Sequence, residues 1–143
     1  MIPYVDTCIL LSLFFRDSGT EAALAWLERC AAGRIVASHW ALTEFVGAAG
    51  ILARRGELTP ELHREGIARF RRFCTERLTL EAPLASDFER AAIWLENFPS
   101  GVRAADALHL AIGARLGTVL CTADERLTAA SERLGLPVAK LSG

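Results

Sequence analysis

The stretch Ile2-Pro3-Tyr4-Val5-Asp6-Thr7-Cys8-Ile9-Leu10-Leu11-Ser12-Leu13-Phe14-Phe15 is apolar almost throughout, and it is too long for one strand. It reads as a short buried strand over residues 2–5 that ends at Asp6 and turns at once into a helix. The same alternation runs through the rest of the chain. Ser18-Gly19-Thr20-Glu21 opens a helix with Ala23, Leu24, Trp26, Leu27, Cys30 and Ala31 at helical spacing, closed by Gly33. Ile35-Val36-Ala37 is the next strand, and Ser38 is a suitable N-cap for a long helix through Leu52, with Glu44 inside it and Gly56 as its stop. Leu58-Thr59-Pro60-Glu61 starts another helix with Pro in the first turn and an apolar stripe of Leu62, Ile67, Phe70 and Phe73.

Leu78-Thr79-Leu80 reads as a third strand, and the segment after Pro83 as a helix containing Phe88, Ala91, Ala92, Trp94 and Leu95. Asn97-Phe98-Pro99-Ser100-Gly101 is a loop. Residues 102–116 form an Ala- and Leu-rich helix closed by Gly117, residues 118–122 a strand, 123–134 a helix and 137–141 a last strand. Strands that alternate with helices pair in parallel through helical crossovers. The expected fold is therefore a three-layer α/β/α arrangement with a mostly parallel central sheet. No linker or repeat interrupts it, so one domain over residues 1–143 is expected.

A chain of 143 residues that is 52% hydrophobic can bury one sizeable core. Its mean hydropathy of +0.27 is high, but the longest apolar run, residues 9–15, falls well short of the roughly 20 residues that span a bilayer. The start of the chain lacks the basic residues and cleavage site of a secretory signal, so a cytoplasmic protein with no membrane segment is expected. Excess apolar content implies surface covered by another chain, and a homodimer is the expected form. A net charge of −1 excludes general attraction to long duplexes by counterion release, so any RNA contact must be local. Arg54, Arg55, Arg64, Arg69, Arg71, Arg72 and Arg77 offer one such patch, with a solvated helix face as the alternative. Cys8, Cys30, Cys74 and Cys121 are scattered, and neither they nor His39, His63 and His109 have zinc-ligand spacing.

In open α/β sheets the site lies beyond the carboxyl ends of the strands, where Asp6 and the Thr122-Ala123-Asp124 turn both project. Either Asp also reads as a helix N-cap, and Glu44 alone as a solvated helix residue. Asp106 is more informative. It is a poor helix former within Arg103-Ala104-Ala105-Asp106-Ala107-Leu108-His109-Leu110-Ala111, and it shares a helix face with His109 and Leu110. Such an Asp needs a partner, either Arg103 or His109 or a cation. Mg²⁺ and Mn²⁺ take oxygen ligands, and a few carboxylates at one sheet end match that demand.

These segments resemble the PIN domain, and more narrowly the VapC toxins of toxin–antitoxin pairs, over nearly the whole chain. The pieces that carry the resemblance are Tyr4-Val5-Asp6-Thr7, Ala37-Ser38 leading to Thr43-Glu44, Ala105 through Ala111, and Thr122-Ala123-Asp124 followed by Leu134-Gly135. The resemblance implies a Mg²⁺- or Mn²⁺-dependent endoribonuclease in which Asp6, Glu44, Asp106 and Asp124 are catalytic metal ligands and Thr7 and Thr122 support them. It also implies a cognate antitoxin whose tail lies over the acidic site, and homodimer pairing through helices of the carboxyl half. Where many relatives carry Asn or Ser two residues after the first Asp, this chain has Cys8.

Other readings are a PIN module that binds RNA without cutting it, a phosphatase of the haloacid-dehalogenase kind and a receiver-like signalling module. The phosphatase needs a second Asp where Cys8 stands, and the receiver lacks paired acids and a mid-chain phosphoacceptor Asp. No G-x-x-x-x-G-K-[ST] or G-x-G-x-x-G is present for a nucleotide-binding loop.

Overall fold

Among the residues described by the computed structural model, 1–30, 32–98 and 101–142, five strands form one sheet in the order β3-β2-β1-β4-β5, all parallel. The strands are β1 (Pro3–Val5), β2 (Ile35–Ser38), β3 (Leu78–Glu81), β4 (Val119–Thr122) and β5 (Val138–Lys140). The helices are α1 (Thr7–Phe14), α2 (Thr20–Cys30), α3 (His39–Arg54), α4 (Pro60–Glu76), α5 (Ala85–Asn97), α6 (Ala104–Leu116) and α7 (Glu125–Arg133). The three-layer fold expected from the alternation is the one observed, with a wholly parallel sheet in place of a mostly parallel one. Ala31 in the second helical stripe, and Pro99 and Ser100 in the loop, lie outside the described residues.

Side chains alternate across the sheet, so each short strand feeds two cores. Val5, Ile35 and Ala37 face Ile9, Leu10, Phe15, Phe45 and Phe70, while Tyr4, Val36 and Leu120 face Leu108, Leu110, Ile112, Leu127 and Ala130. In the first core the Phe45 and Phe70 rings stack at 3.7 Å, with Phe14 edge-on to both. Both faces of the strands are covered, which explains their unbroken apolar runs.

The helix ends follow the expected local chemistry. Ser38 Oγ accepts from the Trp40 N–H at 2.9 Å, Thr59 Oγ1 from the Leu62 N–H at 3.1 Å with Pro60 beside it, and Gly117 ends α6 at φ +67°. Leu62 departs from expectation. It is 52% exposed, and the buried line of α4 runs instead through Gly66 and Phe70. Gly66 has no side chain to count in a hydropathy pattern, yet a Cβ there would overlap the Phe15 ring, so its smallness lets α1 and α4 close up. The four cysteines are free thiols, and no helix among the described residues is long and apolar enough to cross a membrane.

The chain lays β1, β2 and β3 side by side in one direction, then returns to place β4 and β5 on the other flank of β1. The strand order therefore reverses between β1 and β4. Ligands of open parallel sheets bind at such a switch point, beyond the carboxyl ends of the strands. Asp6 directly follows β1 and Asp124 closely follows β4.

Candidate active site

Asp6 stands at the N-cap position of α1 with extended backbone, yet its side chain makes no capping bond. Its Oδ2 instead accepts the Thr122 hydroxyl at 2.7 Å and the Cys8 thiol at 3.0 Å, while its N–H donates to the Cys121 carbonyl at 3.0 Å. Thr122 is fully buried, and its Oγ1 also accepts the Asp124 N–H at 3.0 Å. One hydroxyl thus ties the end of β1 to the turn after β4. Burial, then the Asp6 charge and hydrogen bond, push the Cys8 thiol up to about 12, so at neutral pH it remains a protonated donor.

Asp124 does cap its helix. Its Oδ1 accepts the N–H groups of Arg126 and Leu127 at 2.8 and 3.3 Å. Glu44, in the second turn of α3, is not a solvated face residue: its Oε1 accepts the Thr7 hydroxyl at 2.9 Å and pairs with His109 Nε2. Burial raises the Glu44 pKa, but the hydrogen bond and charge of His109, together with Thr7, outweigh burial and hold the carboxyl below its usual range. Behind it, Tyr4 Oη lies 2.6 Å from His109 Nδ1, and both rings are buried. Tyr4 had read only as a strand residue. The signal was a phenol in an apolar run, since a buried Tyr hydroxyl usually needs a partner.

Asp106 occupies the first turn of α6 and is partly buried. Its carboxylate accepts no hydrogen bond and joins no ion pair among the described residues, so neither Arg103 nor His109 takes the part of a structural partner. Burial first, then the charges of Asp6 and Asp124, push its carboxyl above the usual range, with His109 and Arg103 pulling less strongly the other way. Asp106 thus lies within the fields of both Asp6 and Asp124. Glu44 is linked to the group through Thr7, the neighbour of Asp6. As placed, no three His, Cys, Asp or Glu among the described residues lie close enough to enclose an ion.

The hydrogen bonding is nevertheless lopsided in a consistent way. Among the described residues, Asp6, Glu44 and Asp124 each commit one carboxylate oxygen to two donors and leave the other without a hydrogen bond, and Asp106 leaves both. Carboxylates fixed through one oxygen and open at the other fit a hard cation such as Mg²⁺ or Mn²⁺, whose ligands are oxygens held by surrounding hydrogen bonds. Soft-metal chemistry fits less well, because soft ions favour thiolate and imidazole ligands and the open atoms here are carboxylate oxygens.

The sequence model of the PIN domain matches residues 4–132. No curated protein sequence matches the chain. Among solved structures, the chain is similar to VapC20 of Mycobacterium tuberculosis, a toxin that cleaves the sarcin–ricin loop, with a TM-score of 0.72 and 21% identity over 90% of this chain and 94% of that one. It is similar to a chain of VapBC2 from Rickettsia felis bound to a promoter DNA fragment, with a TM-score of 0.74 and 16% identity over 99% and 100%. A toxin–antitoxin complex from Klebsiella pneumoniae gives a TM-score of 0.69 and 20% identity over 96% of each chain. At these identities the likeness is one of fold, and it agrees with the sequence match. From Tyr4 of β1 to Glu132 of α7, the chain belongs to the PIN-domain family.

Proposed function

We propose that this chain, as one nuclease domain over residues 1–143, is a Mg²⁺- or Mn²⁺-dependent endoribonuclease and the toxin of a toxin–antitoxin pair. The observation that carries this reading is the set of carboxylate oxygens left without donors among the described residues at the β1/β4 switch point, above all both oxygens of the partly buried Asp106. Among the described residues no fully buried side-chain oxygen lacks a hydrogen bond, so these oxygens reach solvent, from which an ion can meet them. Asp6, Glu44, Asp106 and Asp124 would hold the ion. Thr122 and Thr7 orient Asp6 and Glu44 through their hydroxyls. The ion would supply positive charge at the scissile phosphate and acidify the attacking water.

The VapC and VapBC relatives support a toxin role and an antitoxin as partner, one that would offer an Arg to the carboxylates and block entry of RNA. Exposed Phe88 and Ile93 on α5 and Trp40 on α3 support a covered apolar surface in a homodimer. The site needs no secreted or membrane setting, consistent with work on cellular RNA in the cytoplasm.

The test is incubation of the protein with total RNA, with Mn²⁺ and with EDTA, beside the variants Asp6→Asn, Glu44→Gln, Asp106→Asn and Asp124→Asn. Cleavage is expected only with metal and only with all the acids present. Cleavage that survives EDTA and Asp106→Asn would overturn the mechanism. RNA that is bound and never cut, under every metal tried, would establish the non-cutting module in its place.

A further inference from the structure

His109 is 1% exposed and uses both ring nitrogens, one toward Tyr4 Oη and one toward Glu44 Oε1. An ionised carboxylate can only accept, so Nε2 carries the proton toward Glu44, and in the neutral ring Nδ1 accepts the Tyr4 hydroxyl hydrogen. Tyr4 is itself fully buried in β1, and its ring meets the imidazole edge-on at 5.7 Å. The imidazole is therefore held by a strand residue on one side and spends its remaining donor on a single oxygen of Glu44. Thr7 donates to that same oxygen from the first residue of α1. Two donors from two separate elements converge on Oε1, and Oε2 has none among the described residues.

That arrangement exceeds what packing requires. A buried His needs its two nitrogens satisfied, and a backbone carbonyl or a water would serve. Here the second nitrogen is aimed at a carboxylate on a different helix, bridging α6 to α3 across the end of the sheet. Carboxylate ligands are commonly oriented in this way by outer partners, and removal of such a partner typically weakens metal binding about 10- to 100-fold.

We infer that Tyr4 and His109 form a positioning relay, running β1 to α6 to α3, that fixes the Glu44 carboxylate with one oxygen presented to a divalent cation. The inference rests on the reading of Glu44 as a metal ligand, and it assigns Tyr4 and His109 no contact with RNA or with the reacting atoms. Their effect passes through Glu44.

The test is Mn²⁺ affinity by calorimetry on the RNA-free protein, with melting temperature followed in EDTA. His109→Asn keeps an amide near the Nδ1 position, within reach of Tyr4, but withdraws the donor to Glu44. His109→Gln extends an amide donor to about the Nε2 position. We expect His109→Asn to weaken Mn²⁺ binding about 10-fold, His109→Gln to stay within about 3-fold of wild type, and Tyr4→Phe to fall between them. A purely structural His would lower the melting temperature in EDTA and leave the Mn²⁺ dissociation constant unchanged. That result in His109→Asn, alongside weakened binding in Glu44→Gln, would overturn the relay and leave the metal site standing. Mn²⁺ binding unaffected by Glu44→Gln, or absent from wild type, would remove Glu44 as a ligand and the relay with it. Should His109→Asn fail to fold, Tyr4→Phe decides: weaker Mn²⁺ binding supports the relay and wild-type affinity overturns it.

Discussion

Asp87 and Asp106 are the third residues of α5 and α6, two helices that pack against each other. Each follows two small residues, Ala85-Ser86 and Ala104-Ala105, and their environments differ in nearly every other respect. Asp87 is 2% exposed and saturated: Arg115 Nε donates to both oxygens at 2.9 and 3.2 Å, Arg115 Nη2 adds a bond at 3.0 Å, and the Leu84 N–H adds another at 2.8 Å. Burial would raise its pKa, but Arg115 and the Leu84 N–H outweigh that and hold it below the usual carboxylate range. Asp106 has no donor among the described residues, and burial with two neighbouring aspartates drives it the other way. Among the described residues the fold thus supplies four bonds to an acid that joins two helices and none to the acid at the switch point. A partly buried carboxylate without a donor is open to a partner from outside the chain, as the proposed metal site requires.

Asn substitution at the two positions should separate their roles most sharply, because it keeps shape and removes charge. We expect Asp106→Asn to cut RNA cleavage by orders of magnitude with the fold intact, the loss anticipated when a metal is displaced from its site. Asp87→Asn should leave cleavage at saturating metal near the wild-type level, while stability falls by about 1.5 kcal/mol because the charge-assisted bonds from the solvent-exposed Arg115 are weakened. Chemical denaturation beside an RNA assay checks both. Loss of activity in Asp87→Asn at temperatures where it is folded would break the contrast.

Added Mn²⁺ should sharpen it further. An ion that binds only the folded chain stabilises it by about 2.7 kcal/mol at a hundredfold excess over its dissociation constant. That gain is expected in wild type and Asp87→Asn and should vanish in Asp106→Asn, as read from unfolding midpoints with and without the ion.

Acidification separates the pair by sign. With EDTA present, Asp87 has a depressed folded pKa, so its stabilisation exists above the unfolded value of about 3.9 and is lost as pH falls through the folded value. Asp106 has a raised folded pKa, so its favourable contribution is complete below about 3.9 and is lost as pH rises through the folded value. Asp106→Asn should therefore be more stable than wild type at neutral pH without metal, and Asp87→Asn should lack part of the acid-induced loss. Unfolding midpoints across that range are the measurement.

The fold was legible because its determinants are local. Ser38 and Thr59 cap helices as their positions suggest, Gly117 ends α6, and apolar strands alternate with helices in an order that favours parallel pairing. Leu62 was misread because its place in the stripe depended on Gly66, which no count of apolar side chains includes. The acids were legible as candidates but not as a geometry. Asp6 and Asp124 look alike in sequence as N-caps, and only the structure separates them: Asp124 caps its helix and Asp6 turns to Thr122 instead. The Tyr4–His109–Glu44 chain spans 105 residues in sequence, and such long-range pairing leaves no local signature.

The smallest effect is expected at Cys8. Its thiol stays protonated and donates to Asp6 Oδ2, so Cys8→Ser replaces one donor with another. Cleavage and Mn²⁺ affinity should change by no more than about 3-fold, within the modest difference between one neutral hydrogen bond and another. A large loss on this substitution would mean that the sulfur itself matters and that the oxygen-only description of the site is incomplete.

The most direct test of the central claim is anomalous difference density from crystals of the wild-type protein soaked in Mn²⁺, with Asp106→Asn crystals as the comparison. A peak is expected at the β1/β4 switch point, bounded by the carboxylates of Asp6, Glu44, Asp106 and Asp124, with its loss or marked weakening in Asp106→Asn. A saturated soak with no peak there, or an equal peak in Asp106→Asn, would contradict it.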